Sequence, residues 1–296
     1  MADELQKSFY DKVAEKANLR FIDSHAHLAR TINWKKLEEE ASAPGLKQVW
    51  LLSLSVDEAE ESYFAGNDKV LEVSKEFPFF VPFGFLDFTK GVDQIDKMKD
   101  QGFLGLKAIR PPKPYDALEY MDLYQRAADL DMPILFHVGA VATAKKEKMQ
   151  RYQSYYGHGC MLPRMLISIQ ACVPNAKLIQ GHMAESENDQ LRESLCYSAK
   201  TKVSTCGNED YCWWYENFAR CDGKGTPLYK KFMLATDVTY GENVDMKYRN
   251  AAEYAYEKAM FIYFLMSGAD YYPWKGKYDD VNYANAAEYF PDRLKD

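Results

Sequence analysis

Four of the five histidines and one aspartate lie at or near the ends of short apolar runs. His25 and His27 lie in the run 21–28, His137 ends 133–137, His182 ends 176–182, and Asp237 ends 232–237. Imidazole and carboxylate groups are common ligands of catalytic divalent metal ions in proteins. The pattern therefore predicts that these five side chains gather around one metal ion.

His25 and His27 have the spacing of two ligands on one strand. Residues two apart on a strand point to the same face, with Cα atoms about 6.6 to 7 Å apart. Both imidazoles can then reach one ion at about 2.0 to 2.1 Å. The alternative is that His25 is a hydrogen-bonded core histidine and His27 a loop residue. The other three groups at strand ends favour the metal site over that alternative.

Eight strand-like runs can be read along the chain, and most are continuously apolar, as expected for parallel strands covered by helices. They are 20–24, 49–54, 79–86, 103–109, 133–138, 176–181, 202–206 and 232–236. Most successive runs start about 25 to 30 residues apart, the length of a βα unit. Patterns typical of helices fill the spaces, for example in 116–130, 163–172 and 247–266.

Alternating strands and helices predict an α/β fold, specifically a (β/α)8 TIM-type barrel; a doubly wound open sheet is the alternative. The C-terminal ends of all barrel strands meet at one mouth. A barrel would therefore bring the four histidines and Asp237 together, whereas an open sheet would spread them along a wide edge. The positions of these five residues favour the barrel.

Both ends of the chain lie outside the eight units. The segment 2–16 has the pattern of an amphipathic N-terminal helix, which we expect to close the barrel floor. The tyrosine-rich C-terminal extension after Gly268 is expected to pack along the outside. Because no internal repeat, low-complexity segment or linker divides the chain, residues 1–296 are predicted to form a single metal-dependent barrel domain.

Composition narrows the classes of function. The net charge of −7 argues against nucleic acid as a partner, because phosphates attract basic surfaces. No stretch has the roughly 20 apolar residues that a membrane helix needs, and residues 1–20 lack the apolar region of a signal peptide. We therefore expect a cytoplasmic protein. Its six cysteines form no C-x-x-C pair and are expected to be free thiols.

Several segments resemble the amidohydrolase superfamily, and more narrowly the branch that includes aminocarboxymuconate semialdehyde decarboxylase and pyrone dicarboxylate lactonase. The matching segments are Phe21-Ile22-Asp23-Ser24-His25-Ala26-His27-Leu28, 102–107, 173–182, Leu234-Ala235-Thr236-Asp237 and 285–290. The resemblance extends from about Phe21 to Phe290. It implies a metal-dependent barrel enzyme and is compatible with a homodimer.

By this resemblance, His25, His27 and His137 would ligate the metal. Asp237 would be a further ligand or would orient the metal-bound water, and His182 would polarise a substrate carbonyl or bind the water. A divalent metal lowers the pKa of its bound water from about 15.7 to about 7. The ligand types favour one zinc ion per chain, with manganese as the alternative.

Three further residues are candidates for binding a substrate. Lys107, in the fourth strand, could be a carboxylated lysine bridging two metals, a ligand of a substrate carboxylate, or a structural member of a buried ion pair; we prefer the last two. Arg110 could bind a carboxylate through its bidentate fork or be a surface residue. His158, in the long loop after the fifth strand, could contact substrate or be solvated.

The sequence leaves three functions open. The first is a metal-dependent hydrolase that uses an activated water on a small carbonyl or carboxylated compound, such as an amide or lactone. The second is a non-oxidative decarboxylase of a small organic acid on the same scaffold. The third is a catalytically inactive barrel that binds a small molecule; the complete ligand set argues against it.

Overall fold

Nine parallel strands form one sheet in a computed structural model of the protein. The structure describes residues 19–54, 64–139, 158–182, 188–198, 200–206, 211–242, 251–267 and 274–295. The strands are β1 Phe21–Leu28, β2 Leu46–Leu52, β3 Phe80–Phe85, β4 Gly105–Ala108, β5 Ile134–His137, β6 Leu178–Gly181, β7 Lys202–Ser204, β8 Phe232–Met233 and β9 Thr239–Tyr240. The sheet order is β8-β7-β6-β5-β4-β3-β2-β1-β9. All eight predicted strands are therefore confirmed.

The sheet curls so that its last strands return to β1. The Ser24 amide donates to the Leu234 carbonyl at 2.9 Å, just beyond the end of β8. Further along β1, His27 pairs with Thr239 of β9. Strands β8 and β9 are thus two short pieces on either side of the turn that carries Asp237. The predicted TIM-type barrel is confirmed, and the open-sheet alternative is wrong.

Helices alternate with the strands, as the sequence patterns predict. They are α1 Trp34–Ala41, α2 Asn67–Glu76, α3 Asp93–Gln101, α4 Met121–Asp129, α5 Met165–Cys172, α6 Asn188–Tyr197, α7 Tyr211–Phe218 and α8 Ala251–Ser267. Most strand side chains are buried on both faces, which explains why the runs are apolar without alternation. None of the described helices is long and apolar enough to cross a membrane.

The barrel interior is filled by apolar side chains, and its lower end is closed by the C-terminal extension. Phe290 belongs to the same buried cluster as Trp50 and Phe83. Gln48 lies near the start of β2, and its side-chain Nε2 donates to the Phe290 carbonyl at 3.0 Å. The prediction that this extension packs along the outside is correct for its first part, where Trp274 lies against Phe218 of α7 and Tyr278 against Tyr263 of α8. It is wrong for Phe290, which packs at the strands' N-terminal ends. We call this end the floor.

The N-terminal helix predicted for residues 2–16 lies outside the described residues. Its expected place against the floor therefore stays a prediction.

The C-terminal extension also contacts the start of β7 at the floor. Lys202 Nζ donates to the Asn285 carbonyl at 2.7 Å. This contact joins the start of β7 to the extension.

Candidate metal centre

His25, His27 and Asp237 bring three ligand atoms together at the C-terminal mouth of the barrel. Asp237 Oδ1 lies 3.2 Å from His25 Nε2 and 3.2 Å from His27 Nε2. For metal–ligand bonds of about 2.0 to 2.1 Å, a tetrahedral site needs ligand atoms about 3.3 Å apart. We call these three residues the histidine–aspartate cluster; their separations fit a divalent ion.

Hydrogen bonding fixes which nitrogen of His27 faces Asp237. His27 Nδ1 lies 3.2 Å from the Leu52 carbonyl, which can only accept, so Nδ1 carries the proton that is donated. Nε2 is then the nitrogen that faces the Asp237 carboxylate, and either a proton on Nε2 or a metal ion can join the two groups. Two acceptors 3.2 Å apart repel each other unless a cation or a proton lies between them. The donor set therefore fits a bound metal.

Close packing and a contact with β7 hold His25 at the bottom of the mouth. Its ring is fully buried, and its Nδ1 lies 3.1 Å from Ser204 Oγ. A Cβ atom added at Gly181 would lie only 3.0 Å from His25 Cε1, so glycine is needed there for the ring to fit. Burial lowers the pKa of His25 to about 3, and the nearby Lys107 charge acts in the same direction. The imidazole is thus neutral, as a metal ligand must be.

Asp237 is presented by a turn with unusual backbone geometry. Its φ is +62°, a left-handed conformation that few non-glycine residues adopt. Its amide donates to the His25 carbonyl at 2.7 Å, which anchors the turn to β1. Burial opposes ionisation, but the His25 and His27 imidazoles hold the Asp237 pKa well below its ordinary value. The carboxylate is therefore ionised, and its side chain, 35% exposed, faces the mouth.

Asp23 supports this turn from inside the barrel and was not predicted as a site residue. Thr236 donates to its carboxylate through its amide at 3.0 Å and its hydroxyl at 2.6 Å. Burial raises the pKa of Asp23 to about 6, while the bonds from Thr236 act in the opposite direction. Its position two residues before His25 was the available signal: residues two apart on a strand share a face.

His182 and His137 extend the group of histidines across the mouth. His182 has a φ of +73°, and its Nδ1 lies 3.7 Å from Asp237 Oδ2. The ring of His137, at the end of β5, lies 4.4 Å from that of His182. Burial holds the pKa of His182 well below its ordinary value, so its ring is neutral. The role of His137 as a metal ligand stays a prediction.

Lys107 points into the same region. It is 1% exposed, and its Nζ lies 3.4 Å from His25 Nε2. Burial lowers its pKa to about 8, although the Asp237 charge opposes the shift. The Lys107 amine therefore lies within the candidate metal centre, and the three interpretations of Lys107 stay predictions.

Arg110 and His158 lie at the edge of what the structure describes of the site. Arg110 follows β4 by two residues, is partly buried, and has a φ of +55°. His158 begins a single 3-10 turn, His158–Cys160, and its side chain lies outside the described residues. Their roles in substrate binding stay predictions.

Cys206 is a second residue that the sequence analysis missed. Its Sγ lies 3.4 Å from His25 Nδ1 and 3.6 Å from His182 Nδ1. Burial raises the pKa of this thiol to about 12, so it is protonated in the metal-free protein. A signal was available: Cys206 ends the run 202–206, the same position that pointed to the histidines. Cys206 belongs to no C-x-x-C pair, so the cysteine spacing does not point to it.

No protein-family model matches this chain, and no curated protein matches it in sequence. Solved structures match it in fold. One is 2,6-dihydroxybenzoate decarboxylase from Rhizobium, with a TM-score of 0.57 and 14% identity over 92% of this chain and 99% of that one.

Two other solved structures superpose equally well. One is 5-carboxyvanillate decarboxylase from Novosphingobium aromaticivorans, complexed with manganese and 4-hydroxy-3-methoxy-5-nitrobenzoic acid (TM-score 0.59, 13% identity, 93% of this chain and 97% of that one). The other is a probable 2-pyrone-4,6-dicarboxylic acid hydrolase from Acinetobacter baumannii with citric acid bound (TM-score 0.58, 12% identity, 92% and 100%). These neighbours confirm the barrel fold that the motif resemblance implies, at 12 to 14% sequence identity.

Proposed function

We propose that this protein is a metal-dependent decarboxylase of the amidohydrolase superfamily that acts on a small organic acid. The observation that carries the proposal is the histidine–aspartate cluster, in which Asp237 Oδ1 lies 3.2 Å from both His25 Nε2 and His27 Nε2 at the mouth of the barrel. These separations let one divalent cation bind all three atoms. The decarboxylases among the structural neighbours support this reaction over hydrolysis, which the motifs alone suggested first.

His25, His27 and Asp237 would hold the ion, with His137 as the predicted fourth protein ligand. When bound, the ion would supply Lewis-acid binding of a substrate oxygen. Two neutral imidazoles and a carboxylate suit zinc or manganese. Manganese gains support from the neighbouring 5-carboxyvanillate decarboxylase, whose structure contains it.

Residues of the protein would transfer the one proton that the reaction needs. In a decarboxylation, the bond between the carboxylate and its carbon breaks, carbon dioxide leaves, and the carbon that keeps the electron pair takes up a proton. Asp237 is ionised and exposed at the mouth, so it can take a proton from an acidic substrate group and return it to that carbon. His182, 3.7 Å from Asp237 Oδ2, would orient the carboxylate during this transfer.

Lys107 and Arg110 are the candidates for binding the substrate's own carboxylate. Both side chains belong to the segment at and just after β4, and an anionic substrate would reach the mouth between them and Asp237. Because burial lowers the Lys107 pKa only to about 8, the lysine is still mainly charged at neutral pH.

Hydrolysis is the second candidate, and a specific feature of Asp237 favours it. Oδ1 faces the two histidines, while Oδ2 faces His182. One oxygen could thus bind the ion while the other accepts a proton from a water nucleophile. The probable 2-pyrone-4,6-dicarboxylic acid hydrolase among the neighbours fits this alternative.

Product analysis separates the two reactions. The full-length protein, stripped of metal and reloaded with manganese or zinc, is incubated with hydroxylated benzoates, such as 2,6-dihydroxybenzoate and 5-carboxyvanillate, and with 2-pyrone-4,6-dicarboxylate. We expect metal-dependent release of carbon dioxide from a benzoate. Ring opening of the pyrone without carbon dioxide would establish the hydrolase instead. A protein that binds no divalent metal would contradict both enzymes and favour the inactive barrel.

A further inference from the structure

The two nitrogens of the His25 ring face two different groups of side chains. Nε2 faces Asp237 at 3.2 Å, within the histidine–aspartate cluster. Nδ1 faces Cys206 Sγ at 3.4 Å, and Cys206 Sγ in turn lies 3.6 Å from His182 Nδ1. We call His25, His182 and Cys206 the cysteine cluster. Its members offer two imidazole nitrogens and one sulfur within 4.8 Å of one another.

The separations in the cysteine cluster are those of metal ligands. With metal–sulfur bonds of about 2.3 Å and metal–nitrogen bonds of about 2.0 to 2.1 Å, a tetrahedral site places sulfur and nitrogen about 3.6 Å apart. The two sulfur–nitrogen distances, 3.4 and 3.6 Å, lie close to this value. Cys206 is fully buried, and its sulfur lies against both histidine rings.

The chemistry of the cysteine cluster differs from that of the histidine–aspartate cluster. A thiolate is a soft ligand that selects ions such as zinc, cadmium or copper(I), whereas a carboxylate is a hard ligand that also suits manganese. Two sites of different softness would thus lie on opposite sides of one imidazole. This follows from the described residues alone and does not depend on the proposed decarboxylase activity.

We propose that Cys206, His182 and His25 form a second metal site, for a thiophilic ion, on the Nδ1 side of the His25 ring. Binding replaces the Cys206 S–H bond with a metal–sulfur bond, and the proton leaves to solvent. His25 Nδ1 must likewise give up any proton it shares with Ser204. Because His25 can offer both nitrogens only as an imidazolate, an ion on the Nδ1 side weakens binding on the Nε2 side.

Cobalt(II) tests this site without any assay of activity. A cobalt–thiolate bond gives a charge-transfer absorption band in the near ultraviolet that nitrogen and oxygen ligands do not give. We expect this band on adding cobalt to the metal-free, full-length protein, and we expect its loss in Cys206→Ser. The exposed Cys172→Ser variant is the matched control and should keep the band.

A second measurement keeps the test independent of how well the variants fold. X-ray absorption of the wild-type protein loaded with zinc should show a sulfur neighbour at about 2.3 Å. Manganese affinity, measured in the same protein, should fall at least severalfold after the thiophilic ion is added. Absence of the cobalt band at saturating metal, or its survival in Cys206→Ser, would overturn the proposal.

The outcome is separable from that of the proposed function. A cobalt–thiolate band in a protein without decarboxylase or hydrolase activity would support the cysteine cluster and leave the reaction unsupported. A metal-dependent activity in a protein without the band would do the reverse. Asp237→Asn should keep the band, because Asp237 belongs only to the histidine–aspartate cluster.

Discussion

The mouth and the floor of the barrel use the same strands for opposite purposes. At the mouth, buried side chains include His25 and Lys107, whose pKa values burial shifts strongly. Three of the four non-glycine residues with positive φ among the described residues also lie there: Arg110, His182 and Asp237. At the floor, the aromatic rings of Trp50, Phe83 and Phe290 pack together.

The difference shows where stability and chemistry are separated in this fold. Apolar burial at the floor stabilises the barrel, because removing aromatic surface from water is favourable. The residues at the mouth lower the free energy of unfolding, because buried charges and strained backbone are unfavourable unless a ligand compensates them. Substitutions at the mouth should therefore change function more than stability, and those at the floor should do the reverse.

The largest effect is expected from Asp237→Asn. Removal of the carboxylate should reduce metal-dependent turnover by about 10² to 10⁴-fold, because in the proposed function Asp237 is both a metal ligand and the proton acceptor. Thermal stability should stay the same or rise, since the neutral amide is easier to bury. Steady-state kinetics and thermal unfolding measure the two effects.

Asp131→Asn is the matched control for Asp237→Asn. Asp131 also has a positive φ, but it lies between α4 and β5, on the side of the barrel away from the mouth, and pairs with Lys177. Its substitution should leave turnover unchanged. Equal losses of turnover in both variants would refute the role given to Asp237.

Trp50→Ala should be the most damaging change to stability. Trp50 is fully buried, stacks on Phe83 with ring centroids 5.2 Å apart, and donates from Nε1 to Gln48 Oε1 at 2.8 Å. Truncation of a buried tryptophan costs about 3 to 5 kcal/mol of the free energy of unfolding. Urea unfolding measures the loss, and Trp50→Phe should lose less. Metal bound per folded molecule should not change; a fall in metal content ahead of any loss of stability would contradict the separation of floor and mouth.

Lys107→Met tests whether a buried charge at the mouth lowers the free energy of unfolding, because that effect depends on pH. The Lys107 pKa is 10.5 ordinarily and about 8 in the fold because of burial. As pH falls from 10.5 to 8, the unfolded chain takes up the proton first, so the folded state loses stability. At one pKa unit per about 1.4 kcal/mol, this loss reaches about 3 kcal/mol below pH 8. The variant should regain up to about 3 kcal/mol at pH 7, and the gain should shrink toward pH 10.5.

Urea unfolding of the metal-free wild type and of Lys107→Met at pH 7 and pH 10 measures this difference. A gain of the same size at both pH values would show that it does not arise from the lysine charge. Activity separates the interpretations of Lys107. A structural lysine predicts retained turnover, a ligand of a substrate carboxylate predicts a raised KM, and a carboxylated bridge predicts the loss of one of two bound metals.

The sequence predicted the barrel well because the signals for it are local and repeated. Each strand is an apolar run buried on both faces, and each such run ends at the same mouth. His25, His27 and Asp237 were predicted correctly to meet because strand ends converge in any barrel. The course of the C-terminal extension was predicted only in part: Trp274 and Tyr278 pack on the outer helices as expected, but Phe290 lies at the floor, and aromatic residues suit both places equally well.

Cys206 and Asp23 illustrate what sequence patterns miss at the mouth. Asp23 lies within the motif around His25 and His27, and Cys206 ends a strand-like run, but the contacts that place both residues at the site are with residues distant in sequence. Asp23 meets Thr236 across 213 positions, and Cys206 meets His25 across 181. Such contacts depend on how the barrel closes. The apolar pattern predicts the order of the strands but not the positions of individual side chains where the sheet closes.

The smallest effect is expected from Ser204→Ala, which removes a partner of His25 Nδ1, the ring nitrogen that does not face Asp237. Ser204 Oγ lies 3.1 Å from His25 Nδ1 and helps to orient the ring whose Nε2 faces Asp237. Loss of such a partner of a metal ligand costs about 10-fold or more in metal affinity. We expect the dissociation constant for manganese to rise by about this factor. Thermal stability should change little, because alanine fits the vacated space.

Ser198→Ala is the matched control, since Ser198 is a buried serine that precedes β7 and donates to Gln170 Oε1 at 3.0 Å, far from the mouth. It should lower stability without changing manganese affinity. If Ser204→Ala keeps the wild-type manganese affinity, the contacts of His25 with Gly181, Cys206 and Lys107 orient the ring without Ser204. If both serine variants weaken manganese binding equally, the loss reflects general loosening of the barrel. That result would contradict the separation of metal binding at the mouth from stability elsewhere in the barrel.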